Sequence, residues 1–162
     1  MRKYNSSIKT AFLSEAGSQL SNNDYFGFVE LDSYACYVIA DGITQMREAL
    51  GAKAAISAVV DAFQREPGIS KAKLKRYLKS ANRELLQGKS YEKQKASVTV
   101  VVTDYVKFRY GHAGNTRLRL YREGRCILAT SDMSLSQDMV QEGAITQDKV
   151  ARHEERNNLY AY

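Results

Sequence analysis

Residues 37–45 read YVIADGITQ. Tyr37, Val38 and Ile39 suit the interior of a sheet. The run then stops on Asp41-Gly42, crosses a polar break and gives way to a long helical pattern. A carboxylate at the end of a buried strand has two ordinary explanations. Aspartate forms turns, and a glycine behind it takes positive φ. The same placement also aims a metal ligand or an acid out of a rigid sheet.

Working outward from this stretch, the flanking segments read as strands and helices in runs. Ile8–Ser14, Tyr25–Leu31 and Tyr34–Ala40 read as strands, with Asp32-Ser33 as a hairpin turn between the last two. From Met46 to Glu66 the period changes. Ala49, Ala52, Ile56, Val59, Val60 and Phe63 recur at helical spacing, and Pro67-Gly68 ends the helix. Ser70 caps a second helix, with a stripe at Leu74, Leu78, Ala81 and Leu85 and a stop at Gly88. So short a connection makes the two helices antiparallel neighbours. A charged linker at 89–95 leads to four more strands, near 96–103, 105–112, 117–122 and 125–129. Two short helical patterns follow, near 134–142 and 146–157. Strands and helices in runs argue for α+β with antiparallel sheets rather than a doubly wound sheet.

The chain has 162 residues, 44% apolar and 26% charged, which suits a single domain with a real core. No uncharged apolar run approaches the roughly 18 residues of a membrane span, and MRKYNSSIKTAF lacks a signal peptide's apolar stretch. Cys36 and Cys126 lie far apart with no CxxC or Cys/His cluster, which argues against a disulfide framework or structural zinc and for the cytoplasm. The only histidines, His112 and His153, have no local ligand partner. The formal charge is +6, which permits nucleic acid or acidic partners. In KAKLKRYLK (71–79), however, the basic residues alternate with Ala72, Leu74, Tyr77 and Leu78. The better reading there is a solvated helix face, and nucleic acid is not the expected partner.

Asp24, Asp41, Asp104 and Asp132 are the acidic residues in turn contexts. If the second and third strands pair around residue 32 or 33, Asp24 and Asp41 are almost equidistant from the turn and share one end of the sheet. Like charges brought close are costly unless a cation sits between them. Such an arrangement suits Mg²⁺ or Mn²⁺, with the Gly42 carbonyl unobstructed beside it. On spacing alone, two ordinary turn aspartates remain the stronger reading.

Six stretches in order carry a further signal. GSQLSNNDYF (17–26) resembles G-x-x-R-x-x-N-E-D-x-F, and VIADGITQ with GAKAA resembles V-A-D-G-M-G-G with G-x-x-A-S. ASVTVVV stands in place of G-T-T-A-V, and GHAGNTRLRLYREG resembles V-G-D-S-R-x-Y-L-x-R-x-G. ATSDMSLSQDMVQEG resembles L-T-x-D-H-S-x-x-x-x-L-V-x-x-G, and HEERNNLYAY resembles H-P-x-R-N-x-L. Together they resemble the PPM-type (type 2C) metal-dependent protein Ser/Thr phosphatases across nearly the whole chain. The resemblance implies an αββα sandwich of two antiparallel sheets with helices outside. It also implies a binuclear Mn²⁺/Mg²⁺ site, where a metal-bound hydroxide attacks the phosphorus of phosphoserine or phosphothreonine. By position, Asp24 matches the aspartate of N-E-D, Asp41 the metal-bridging aspartate, and Gly42 the residue that ligates through its carbonyl.

The departures from the family pattern reduce charge around that site. Gln19 stands where the family has its phosphate-gripping arginine, and glutamine lacks the bidentate cationic fork. Asn23 replaces the glutamate before Asp24, and Thr44-Gln45 replace paired glycines. Asn115 replaces the aspartate of G-D-S-R, and Met133 the histidine of D-H-S. The chain stops at Tyr162, whereas the family continues with strands bearing two more metal-ligand aspartates. Residues 1–162 are therefore expected to form one phosphatase-like domain, incomplete at its C-terminus. Its metal site would be weakened, and its unpaired sheet edges would be open to a partner or to self-association. Two functions stay open: a phosphatase acting on phosphoproteins, weakly or not at all with these residues alone, or an inactive pseudophosphatase that binds or regulates. Arg117 reads as a turn tether more readily than as a phosphate ligand. His112 reads as structural, and Tyr160 and Tyr162 as an ordinary amphipathic end.

Overall fold

Strands β1 (Asp24–Glu30) and β2 (Ala35–Gly42) form an antiparallel hairpin. β3 (Ala96–Thr103) pairs with the other side of β2, and β4 (Phe108–Ala113) with β3, giving a four-stranded sheet in the order β1-β2-β3-β4. A second, two-stranded sheet is the hairpin of β5 (Arg119–Arg122) and β6 (Arg125–Ala129). The architecture comes from a computed structural model that describes residues 6–18, 21–42, 50–87 and 95–160. Two antiparallel sheets with flanking helices agree with the α+β reading.

Helices α1 (Leu50–Arg65) and α2 (Lys71–Gln87) cover one face of the larger sheet. Side chains alternate across a strand, so Cys36, Val38, Ala40, Val98, Val100 and Val102 point to the helices. They form one core with Ala52, Ile56, Val59, Phe63, Leu74, Tyr77 and Ala81. The fit is closest at Gly27, where a Cβ would stand 2.6 Å from Ile56 Cγ2. The α1–α2 turn is held by the fully buried Tyr77, whose hydroxyl donates to the Glu66 carbonyl at 2.8 Å and the Gly68 carbonyl at 3.2 Å. Ser70 caps α2 as read, its Oγ accepting the Lys73 N–H at 3.2 Å. Residues 46–49, Gly88 and 89–94, which entered the helix and linker readings, lie outside the described residues.

Three readings need correction. Ile8–Ser14 forms no ladder. It lies against the sheet through side chains instead, with the Phe12 and Phe26 ring centroids 4.1 Å apart. A strand needs a neighbour to take its main-chain bonds, and none reaches this segment among the described residues. The strand read from Tyr105 begins at Phe108. Asp104 diverts the chain into a turn by accepting the N–H groups of Val106 (3.1 Å) and Lys107 (2.8 Å), and Tyr105 takes φ +69°. Those N–H groups, Lys107 first, hold the Asp104 carboxyl below the ordinary carboxylate range. The helix read over 146–157 divides into α4 (Gln147–Val150) and a 3-10 turn (Glu154–Asn157), because His153 caps the second piece through Nδ1 on the Glu155 N–H. The remaining helix, α3 (Leu135–Gln141), follows its Ser134 cap.

Candidate metal centre

The register settles where the two aspartates lie. Asp24 is the cross-strand partner of Asp41, and Asp41 in turn is the partner of Ser97. All three sit on the sheet face away from the helices, in the last row before the strands end. The next row holds Phe26, Ile39, Thr99 and His112, and the one after it Phe28, Tyr37, Val101 and Tyr110. The entry into β1 is fixed by Asn22, whose Oδ1 accepts the Asp24 N–H at 2.9 Å. The exit from β2 is fixed by Gly42, whose N–H donates to the Asn23 carbonyl at 3.1 Å. A Cβ on Gly42 would lie 3.0 Å from that carbonyl oxygen.

Asp41 is half-buried, and burial pushes its carboxyl above the ordinary range. The negative charge of Asp24 and a side-chain hydrogen bond between the two carboxyls push it further in the same direction. Two carboxyls that crowd each other are what a hard divalent cation relieves. The residues present therefore fit Mg²⁺ or Mn²⁺, with the carboxylates of Asp24 and Asp41 and the Gly42 carbonyl as donors. These three positions are about half of the six ligands such an ion takes, so an ion held here would need water for the rest. Among the described residues no group of three or more His, Cys, Asp or Glu is placed to hold a metal.

The neighbours of this corner were not readable as a unit from sequence. Ser97 is fully buried, donates from Oγ to Asn115 Oδ1 at 2.8 Å and accepts the Asn115 N–H at 3.3 Å. Gly114, at φ +89°, is folded over Ser97 so tightly that a Cβ would stand 2.1 Å from Ser97 Oγ. Asn115 is thus occupied in bracing the strand beside Asp41. Gln19 lies outside the described residues, as do Thr44 and Gln45.

Arg117 behaves as the tether that the sequence favoured. Its Nε and a terminal nitrogen grip both oxygens of Asp132 at 2.6 and 2.7 Å. His112 Nε2 meets the Ser131 carbonyl at 3.1 Å, and the Met133 N–H donates to the Gly114 carbonyl at 2.9 Å. These three links fasten the segment before α3 to the end of the sheet that carries Asp41. Replacing Arg117 with alanine is expected to lower stability by about 1 kcal/mol, since the pair is bidentate but half-exposed. Urea unfolding followed by far-UV circular dichroism checks this. Cys36 offers no alternative nucleophile, because burial pushes its thiol up to about 12.

No family model matches the chain. A curated Streptococcus pyogenes (serotype M6) protein assigned to the 2C type of protein phosphatase is 42% identical over 48 residues, which is 30% of this chain and 20% of that protein. The serine/threonine phosphatase Stp1 of Staphylococcus aureus superposes with a TM-score of 0.78 at 18% identity, covering 92% of this chain and 63% of Stp1. The catalytic domain of the serine threonine protein phosphatase PstP, in complex with two manganese ions, superposes with a TM-score of 0.66 at 23% identity. That match covers 81% of this chain and 58% of the PstP chain. The chain thus spans less than two thirds of each of these relatives.

Proposed function

From a chain that has the fold of the PPM-type serine/threonine phosphatases, we propose a metal-dependent phosphatase-like domain of that family over residues 1–162, weak as a catalyst with these residues alone. Asp24, Asp41 and Gly42 hold a Mn²⁺ or Mg²⁺ ion, and phosphoserine or phosphothreonine in a protein is the substrate class. The observation that carries this reading is the direct cross-strand pairing of Asp24 with Asp41, with the charge of Asp24 helping to raise the Asp41 carboxyl. A bound divalent cation supplies neutralisation of phosphate charge and a more acidic water. The chain's own residues would position it, Asp41 from a strand paired on both sides and Asp24 from the Asn22 turn; by its place in the sequence, Gln19 is the candidate for a neutral hydrogen bond to phosphate. Two free cysteines, Cys36 and Cys126, fit a reducing cytoplasm.

The test is hydrolysis of p-nitrophenyl phosphate with and without Mn²⁺, beside Asp41→Asn. Turnover that requires Mn²⁺ and disappears in the variant supports the reading; absence of turnover at millimolar Mn²⁺ removes it. The second reading, an inactive binding or regulatory module, is favoured by one observation. Only two carboxylates meet at the site among the described residues. In that case a protein partner, or a second copy paired along β1 or β4 at the edges of the sheet, is what the domain recognises.

A further inference from the structure

On the far side of the sheet from Asp24 and Asp41, α1 and α2 flank an open cleft of about 440 Å³. Its floor is the small, buried Ala62, and its walls carry Arg65 and Glu66 from α1 and Arg76, Lys79, Ser80 and Arg83 from α2. Residues 76, 79, 80 and 83 fall on one helical face. Glu66 meets Arg76, and Phe63 meets Tyr77, so the helices run antiparallel and bring Arg65 to the same cleft. Arg76 is held by Glu66. Arg65 uses Nε on the Asp61 carbonyl at 3.1 Å, leaving its terminal nitrogens. Neither Lys79 nor Arg83 has an ion-pair partner among the described residues.

We propose that this α1–α2 cleft binds a phosphorylated peptide segment, with the phosphate gripped by Arg65, Lys79 and Arg83. Three unmatched cations around one concavity call for more than a single negative charge, and a phosphate monoester brings about −1.5 to −2 at neutral pH. Guanidinium forks match phosphate oxygens in pairs, and arginine clusters are a recurring solution for phosphopeptides. The cleft volume falls within the range of sites for small ligands and side chains. Nucleic acid fits less well, because no aromatic side chain lines the cleft for a base to stack on. The inference goes beyond the proposed function: binding here needs neither hydrolysis nor a metal ion.

The experiment is fluorescence anisotropy in EDTA with a labelled peptide carrying two phosphoserines. Its unphosphorylated twin and a single-stranded oligonucleotide of matched charge are the comparison probes. The phosphopeptide is expected to bind at least about tenfold tighter than either. Lys79→Glu with Arg83→Glu is expected to lose at least about tenfold, whereas Arg122→Glu with Arg125→Glu, which changes net charge equally on the β5–β6 hairpin, retains binding. Equal losses in the two double variants, equal binding of the unphosphorylated twin, or tighter binding of the oligonucleotide would overturn the proposal. Should the cleft double variant melt early, Arg65→Gln at an exposed helical position decides instead. A loss supports the site and unchanged binding overturns it.

Discussion

Without divalent cation, Asp41→Asn is expected to unfold at a higher temperature than the parent protein at pH 7, and with Mn²⁺ the order reverses. Asparagine removes a half-buried charge that Asp24 repels, so the free protein gains. The parent gains from Mn²⁺ by mass action, about 1.4 kcal/mol when the ion stands at ten times its dissociation constant. For a chain of this size that is about 3–5 °C. The variant gains nothing measurable from the ion. The pH dependence has a definite sign. Asp41 has a raised folded-state pKa, so the folded protein holds this proton more tightly than the unfolded chain. Its stabilising contribution is complete below the ordinary carboxylate value of about 3.9 and is lost as pH rises through the raised value. In EDTA the melting temperature of the parent minus that of the variant therefore falls between about pH 4 and neutrality, and Mn²⁺ flattens the fall. Scanning fluorimetry at several pH values measures it. A parent protein indifferent to Mn²⁺ would leave the carboxyl pair without a cation to hold.

The second large effect is expected at Gly114. Alanine there must adopt φ +89° and bring Cβ to 2.1 Å from Ser97 Oγ, 2.6 Å from Ser97 Cβ and 3.0 Å from its Cα. The first two contacts are with a side chain that is fully buried and already bonded to Asn115. Strain of about 1–3 kcal/mol for the backbone and a similar amount for overpacking predict a loss of about 3 kcal/mol or more in urea unfolding. Ser97→Gly removes the two closest obstructing atoms. In the Gly114→Ala background it should therefore cost less than it does alone, giving a favourable coupling in a double-mutant cycle. Additive losses would mean that the φ angle alone, and not the Ser97 contact, limits this position.

The pairing of Asp24 with Asp41 was within reach of sequence because hairpin arithmetic is local. Two strands around one short turn fix their own partners, and the turn falls midway between the two residues. The helices were legible for the same reason, since a 3.6-residue period needs no knowledge of the rest of the chain. What escaped was long-range or lacked a partner. Ile8–Ser14 has strand composition without a strand beside it. Ser97 and Gly114 are separated by a whole hairpin, and only the β3–β4 register brings them to Asp41. Arg65 and Arg83 line one helix–helix groove that no linear pattern reveals, although 71–79 is the solvated helix face that its spacing predicts, with Lys71, Lys75, Arg76 and Lys79 exposed. Asp104 looked like Asp24 in sequence, yet its carboxylate is taken up by the backbone of its own turn.

The β1–β2 hairpin works as a phase setter. Its turn lies between Glu30 and Ala35, roughly 20 Å along the strands from the carboxyl pair, and touches neither residue. Yet the number of residues in that turn decides which side of the sheet Asp24 occupies. One residue more would carry Asp24 to the helix side and leave Asp41 facing outward alone, because a single-step slip exchanges faces. Two more would restore the side but offset the pair along the strand. The distance between the two carboxyls is thus encoded as a length of chain far from either of them.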